Sequence, residues 1–238
     1  MSTEPITYRL LLVAATQLET PLLRAELNLQ PEGEGLWGVK QDGVQLHLLH
    51  TGIGMVNTAF ALGQYLALQR ADAGINFGIA GSFEHSLALG QVVEVVQDSF
   101  SELGAESPHG FLDLQKLGFP LLETEAGPLY NTLTNPHIKG EGEVARVSGI
   151  TVNQVHGRAE HIANCYQRWA CAIESMEGAA FFYAMLRAGI PFEAYRGISN
   201  YVETRNKSKW DIPLAARNVQ LFVAQKVQQI IQRLSNSY

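Results

Sequence analysis

The chain has 238 residues, enough for one large domain or, less readily, two small ones. Hydrophobic residues make up 46% and charged residues 17%, so a sizeable core is available and a disordered chain is excluded. The formal charge is -6 with no basic block, which argues against nucleic acid and anionic membrane as partners.

The first apolar run, "YRLLLVAAT" (8–16), reads as a strand buried on both faces and not as a signal peptide, because Glu4 precedes it and no basic segment does. "ETPLLRAEL" (19–27) follows at helical spacing. "VQLHLLHTG" (44–52) is a second strand and "MVNTAFALGQYLALQRA" (55–71) a helix with apolar positions three and four apart. Strands are expected at "AGINFGIAGS" (73–82), "GQVVEVVQDSF" (90–100), "GEVARVSGIT" (142–151), "CAIES" (171–175) and "FEAYRGISN" (192–200). Helices are expected at 158–170, at 176–189 with Gly189 as its C-cap, and at 213–234 with Pro213 in the first turn. Residues 101–141, rich in Gly and Pro, break this rhythm and read as a long excursion or lid. The alternation predicts one α/β domain over 1–238, with a mixed, mostly parallel central sheet flanked by helices. No apolar stretch approaches a membrane span. Two cysteines, Cys165 and Cys171, suit free thiols in a cytoplasmic setting.

In such a sheet the chemistry gathers at the carboxyl ends of the strands. Glu19 stands just after the first strand, and two readings stand for it: a general base, or a first-turn glutamate favoured by the helix dipole. The glycine-bearing ends "HTGIGMVNTA" and "NFGIAGSF" are either binding loops or tight turns; neither is a Walker or dinucleotide motif. Glu174 and Glu177 sit in the apolar run "AIESMEGAAFFYA" with no base nearby. Glu177 can accept from a sugar diol or simply stabilise a helix start. No histidine lies close enough in sequence to complete a metal set with them, so no metal is expected. Arg196 falls within an apolar strand, where a guanidinium needs a carboxylate or a bound polar group. Asn200, at that strand's end, is either a turn residue or a reader of a heterocycle edge. The histidines form no set and read as structural, with His109 a candidate ligand contact in the excursion.

Taken in order, "LLLVAATQLE", "TGIGMVNTA", "ESMEGAA" and "RGISN" resemble the purine and uridine phosphorylase superfamily, and within it the nucleosidases, over most of the chain. "ESMEGAAFF" together with "ISNYVE…RN…WDIP" is most similar to its futalosine hydrolase branch, of the menaquinone pathway. The resemblance implies a cofactor-free cytoplasmic enzyme, a homo-oligomer, acting on a small purine nucleoside. Glu19 corresponds to the base that activates water. Arg196 corresponds to the buried arginine that helps hold water and glutamate, and Met176 and Glu177 to the ribose clamp. Val152 and Asn153 correspond to the segment lining the purine, Ile79 and Gly81 to a glycine-bearing strand end beside the ligand, and Asn200 to the residue facing the N7 edge. An amide at Asn200 suits a 6-oxo purine, whereas relatives acting on methylthioadenosine carry aspartate there. Ile79 stands where relatives have serine or threonine, and no arginine lies near it, which favours water over phosphate. The implied reaction is hydrolysis of futalosine to hypoxanthine and dehypoxanthinyl futalosine. Its benzoate-like end would meet Arg205, Lys207, Lys209 or His109. The alternatives are an adenine-directed nucleosidase, a phosphorylase of the same fold, or a nucleoside-binding protein without turnover.

Overall fold

Strand β1 (Tyr8–Ala14) has Leu11, Leu12, Val13 and Ala14 at zero exposure, as its unbroken apolar run requires of a strand covered on both faces. The computed structural model describes residues 7–138, 140 and 142–236. A single 3₁₀ turn (Gln17–Glu19) leads into α1 (Pro21–Glu26). A hairpin follows, β2 (Gln30–Gly33) and β3 (Leu36–Gln41), then β4 (Val44–His50), α2 (Met55–Leu68), β5 (Ala73–Ser82) and β6 (Val92–Phe100). The segment after β6 holds β7 (Gly104–Ser107), β8 (Gly110–Asp113), α3 (Leu114–Leu117), β9 (Leu122–Thr124), β10 (Gly127–Leu129) and β11 (Thr132–Thr134). The chain ends with β12 (Ala145–Thr151), α4 (Ala159–Trp169), β13 (Ile173–Ser175), α5 (Gly178–Ala188), β14 (Phe192–Tyr201) and α6 (Ile212–Ser235).

The sheet is mixed and mostly parallel. β4, β1, β5 and β14 run parallel in register, with Leu10 opposite both Leu46 and Ala73. β6, β12 and β13 form a second parallel group. The groups join antiparallel at two seams, β5 to β13 and β14 to β6, so five strands close on themselves. β5 makes this possible through its length: its first half pairs with β1, and its last two residues pair with β13. One face packs Phe181, Phe182 and Met185 of α5 and Leu62 of α2. The other packs Val219, Val223 and Val227 of α6. No helix among the described residues is long and apolar enough to cross a membrane.

The segment expected as a long excursion or lid is tied to the main sheet. β11 returns to the main sheet beside β6, and buried Asn131 ties the segment down, donating to the carbonyls of Phe100 and Leu103 and accepting from the Leu114 amide. Strands of three or four residues carry too little periodicity to be read, and the glycines mark their turns: Gly110 and Gly127 have φ of +112° and +116°. The helix expected to begin at Met176 begins at Gly178. The reason is local. A methyl group at Gly178 would lie 2.0 Å from Asp98 Oδ2, so the chain there must be bare, while the Ala179 amide donates to Thr151 Oγ1 at 2.7 Å. Gly189 caps this helix in the left-handed conformation, as expected.

Candidate active site

The turn after β1 aims one carboxylate oxygen back and one forward. Glu19 Oε2 accepts from the Thr16 amide at 3.0 Å and the Thr16 hydroxyl at 3.1 Å. Glu19 Oε1 lies over β5, 3.0 Å from where a side chain at Gly78 would begin. Glu19 thus closes its own turn with one oxygen and faces β5 with the other. Burial raises its pKa, the charge of Glu177 adds to this, and Thr16 and Arg196 oppose it.

Across β5 the register sets Arg196 of β14 beside Gly78. Arg196 is 2% exposed. Its guanidinium donates to the Tyr195 carbonyl at 2.9 Å and to Asn76 Oδ1, and Asn76 in turn donates to the Val13 carbonyl. Burial lowers the pKa of Arg196, and the charges of Glu177, Asp98 and Glu19 act against that. The hydrogen bonds that satisfy this desolvated guanidinium come from Asn76 and the Tyr195 carbonyl, while the three acids act on it through their charge.

Glu177 precedes α5 instead of lying in its first turn. Its Oε1 accepts from the Gly54 amide at 2.9 Å. Gly54 has φ +91°, so the "TGIG" turn needs glycine there to present that amide. Asp98, which no sequence signal singled out beyond one acid in a β-branched run, is fully buried. It accepts from Thr151 Oγ1 at 2.8 Å. Burial pushes its carboxyl up to about 7, against Thr151 and Arg196.

Asn200 follows an irregularity at Ser199, where β14 slips one residue against β5, and it pairs with Gly81. Its Oδ1 accepts from Ser199 Oγ at 2.8 Å and its Nδ2 donates to the Tyr201 carbonyl at 3.1 Å. A side chain at Gly81 would start 3.0 Å from Asn200 Nδ2 and 3.6 Å from Glu174 Cγ, so Gly81 keeps room between them. Ile79 pairs with Gly197, whose missing side chain would point at Ala215 of α6. Strand alternation therefore turns Ile79 away from the Glu19–Arg196 face, and its side chain is not gathered with that group. Val152 is wholly buried, packed with Ile150, Cys165 and Cys171. Asn153 is exposed, and its amide and side-chain nitrogen both donate to Glu102.

Glu174 finds a partner that sequence distance concealed. It is buried and accepts from the His156 amide at 3.1 Å with one oxygen, while the other meets His156 Nδ1. His156 is raised to about 10, first by its bond to Cys165 and then by Glu174.

A cavity of about 750 Å³ opens at Met176 and is lined further by Asn153, His156, Arg158, His161 and Arg205. Of the expected contacts to an acidic substituent, only Arg205 lies here. Lys209 is held by Glu203 at 2.7 Å, and His109 sits in the β7–β8 turn, with its amide donating to Ser107. A larger concavity, about 1,020 Å³, lies at the start of β1 among Glu26, Asp42 and Gln228, and includes none of the buried ionisable groups described above.

The family model for the phosphorylase superfamily matches residues 9–234. The futalosine hydrolase of Thermus thermophilus is 34% identical over 206 residues, covering 84% of this chain and 87% of that protein. That of Acidothermus cellulolyticus is 30% identical, covering 88% and 86%. Among solved structures, the Colwellia psychrerythraea methylthioadenosine/S-adenosylhomocysteine nucleosidase in complex with adenine superposes with a TM-score of 0.75 at 20% identity, covering 93% of this chain and 95% of that one. The match runs from β1, ahead of the Glu19 turn, to the end of α6, and takes in every element that carries the site: the chain belongs to the phosphorylase superfamily.

Proposed function

We propose that this chain hydrolyses the N-glycosidic bond of futalosine, releasing hypoxanthine and dehypoxanthinyl futalosine, a step in menaquinone biosynthesis. The observation that carries the nucleosidase chemistry is the placement of Glu19 Oε1 over Gly78, the residue that pairs with buried Arg196. The relatives at 34% and 30% identity, both futalosine hydrolases, choose the substrate.

Cleavage of a ribosyl–purine bond builds positive charge on the sugar and negative charge on the departing base. Glu19, with its pKa raised by burial, is suited to take a proton from water at near-neutral pH. Arg196 supplies a buried positive charge that favours the ionised carboxylates, and Glu177, with Met176 beside it, accepts from the ribose diol. Asn200 donates its amide to the oxygen-bearing edge of the base. Ile79 and Gly81 act through their backbone at the strand end, and Val152 does the same beneath Asn153. Water is favoured over phosphate because the Gly54 amide is already engaged by Glu177. Catalysis needs no metal or organic cofactor in this scheme.

The working unit is a homo-oligomer in the cytoplasm. Leu18, Val56 and Phe60 stand 86%, 78% and 65% exposed around the Glu19 and Gly54 turns, an apolar patch that a second copy would cover. Cys165 and Cys171 are free. Sedimentation should give a particle larger than 26.1 kDa.

The deciding assay follows base release from futalosine and from methylthioadenosine, each with and without phosphate. Hypoxanthine from futalosine at a phosphate-independent rate is expected. Release of adenine alone, or strict dependence on phosphate, would sink the proposal in favour of a methylthioadenosine nucleosidase or a phosphorylase. Binding without turnover would make the chain a nucleoside-binding protein.

A further inference from the structure

The cavity that begins at Met176 carries two arginines against a single acid. Arg158 precedes α4, and His161 lies three residues on, within its first turn. Arg205 faces them from the loop after β14. Neither arginine has a carboxylate at ion-pair distance among the described residues. The one acid lining the cavity, Glu102, is engaged by Asn153 through two hydrogen bonds.

Arg205 is also held in place. Its amide donates to the Gly157 carbonyl at 3.2 Å, and its guanidinium lies 4.8 Å from the centre of the Trp210 ring. A side chain at Gly157 would begin 3.2 Å from Arg205 Cβ, so that glycine lets the stem of Arg205 pass. A planar cation fixed by stacking, with its donors left unpaired by protein, is built for a planar anion. This is unlike the neighbouring Lys209, which is already taken by Glu203.

We infer that Arg205 and Arg158, with His161, form a carboxylate-binding subsite that recognises the acidic group carried by the nucleoside beyond its ribose. The inference rests on the futalosine reading above, and it assigns substrate preference to two loops that hold none of the catalytic groups. Met176, the expected ribose contact, and both arginines line one cavity, so a substrate lacking the anion would leave the arginines solvated.

The test compares futalosine with its carboxyl methyl ester, using the full-length protein. The wild type should prefer the acid by about tenfold or more in kcat/KM, the range of a charged hydrogen-bond pair. Arg205→Gln should collapse that acid-to-ester ratio, chiefly through KM for the acid, and Arg205→Lys should restore part of it. Arg158→Gln should lower the ratio independently, which keeps the test open if Arg205→Gln folds poorly. An acid-to-ester ratio near one in the wild type, or a ratio that both glutamine variants leave unchanged, overturns the subsite. Failure of the wild type to release hypoxanthine from either compound overturns the futalosine reading itself, and the subsite with it.

Discussion

Glu19 Oε1 lies over the bare backbone of Gly78, 3.0 Å from the point where a side chain would begin. Real Cβ contacts are seldom that close, so an added methyl group must push the carboxylate aside by a few tenths of an ångström. The Thr16 bonds to Oε2 limit how far it can retreat. Gly78→Ala should therefore lower kcat by roughly ten- to a hundredfold, since a small misplacement of a reacting group is expensive in rate. Thermal unfolding monitored alongside should move by only a few degrees. A variant with unchanged kcat would show that the position of Glu19 over β5 is not used.

Glu19→Gln keeps the shape and the Thr16 contacts but cannot take a proton. The expected loss in kcat is about 10²–10⁴-fold, the usual share of general base catalysis, with KM nearly unchanged. Single-turnover measurements of hypoxanthine release provide the check. A rise in KM with kcat intact would make Glu19 a binding group.

Asp98 carries a proton in the folded protein at pH values where the unfolded chain has lost it. Its folded pKa is pushed up to about 7 from the ordinary 3.8 of an aspartate, with burial as the leading cause. The folded state thus binds more protons between those values, so stability falls as pH rises from about 4 to 7 and levels off above. Asp98→Asn removes this titration while keeping an acceptor for Thr151. Denaturant midpoints compared at pH 4.5 and 7.5 should shift in the variant's favour at the higher pH. Glu19 shifts in the same direction but is present in both proteins, so the difference isolates Asp98.

What the sequence made legible follows from range. β1, β5 and β14 are apolar runs of seven to ten residues, and their periodicity alone located them. Glu19, Arg196 and Glu177 stood out because each is a charged residue at or inside such a run. The β2–β3 hairpin was invisible because Gln30–Gly33 is exposed throughout and carries no alternation. Asp98 and the His156–Glu174 pair were hidden for a different reason: their partners lie 53 and 18 residues away, and only the closure of the sheet brings them together. Ile79 was assigned by position in a motif, and strand parity then turned its side chain to the other face.

His156 and Glu174 make a second pH-dependent element, of separate range. His156 is raised to about 10, by Cys165 first and Glu174 second, from the ordinary 6.5 of a histidine. Its contribution is fully present below pH 6.5 and is lost as pH rises through 10. His156→Gln leaves Glu174 buried without its cation and should cost about 3 kcal/mol at pH 6, the low end for a broken buried pair because His156 keeps 14% side-chain exposure. The deficit should shrink in unfolding measured at pH 9.5 to 10.5. An equal deficit at both pH values would mean that the pair acts through packing alone.

Asn200 offers the last test, because one atom changes the chemistry offered to the base. Its Oδ1 is taken by Ser199 and its Nδ2 reaches the Tyr201 carbonyl, beside the open space that Gly81 leaves. A neutral amide can donate to a purine carbonyl oxygen but cannot give up a proton. Asn200→Asp places a carboxyl there that, when protonated, can donate to N7, and, when ionised, repels the oxygen of a 6-oxo base. Hypoxanthine release should fall by roughly 10²–10³-fold, the typical loss when a donor to developing negative charge is removed. Release of adenine from methylthioadenosine should rise relative to it. Parallel assays of both substrates read the ratio directly, and a ratio unmoved by the substitution would place Asn200 outside base recognition, as a turn residue of the β14 bulge.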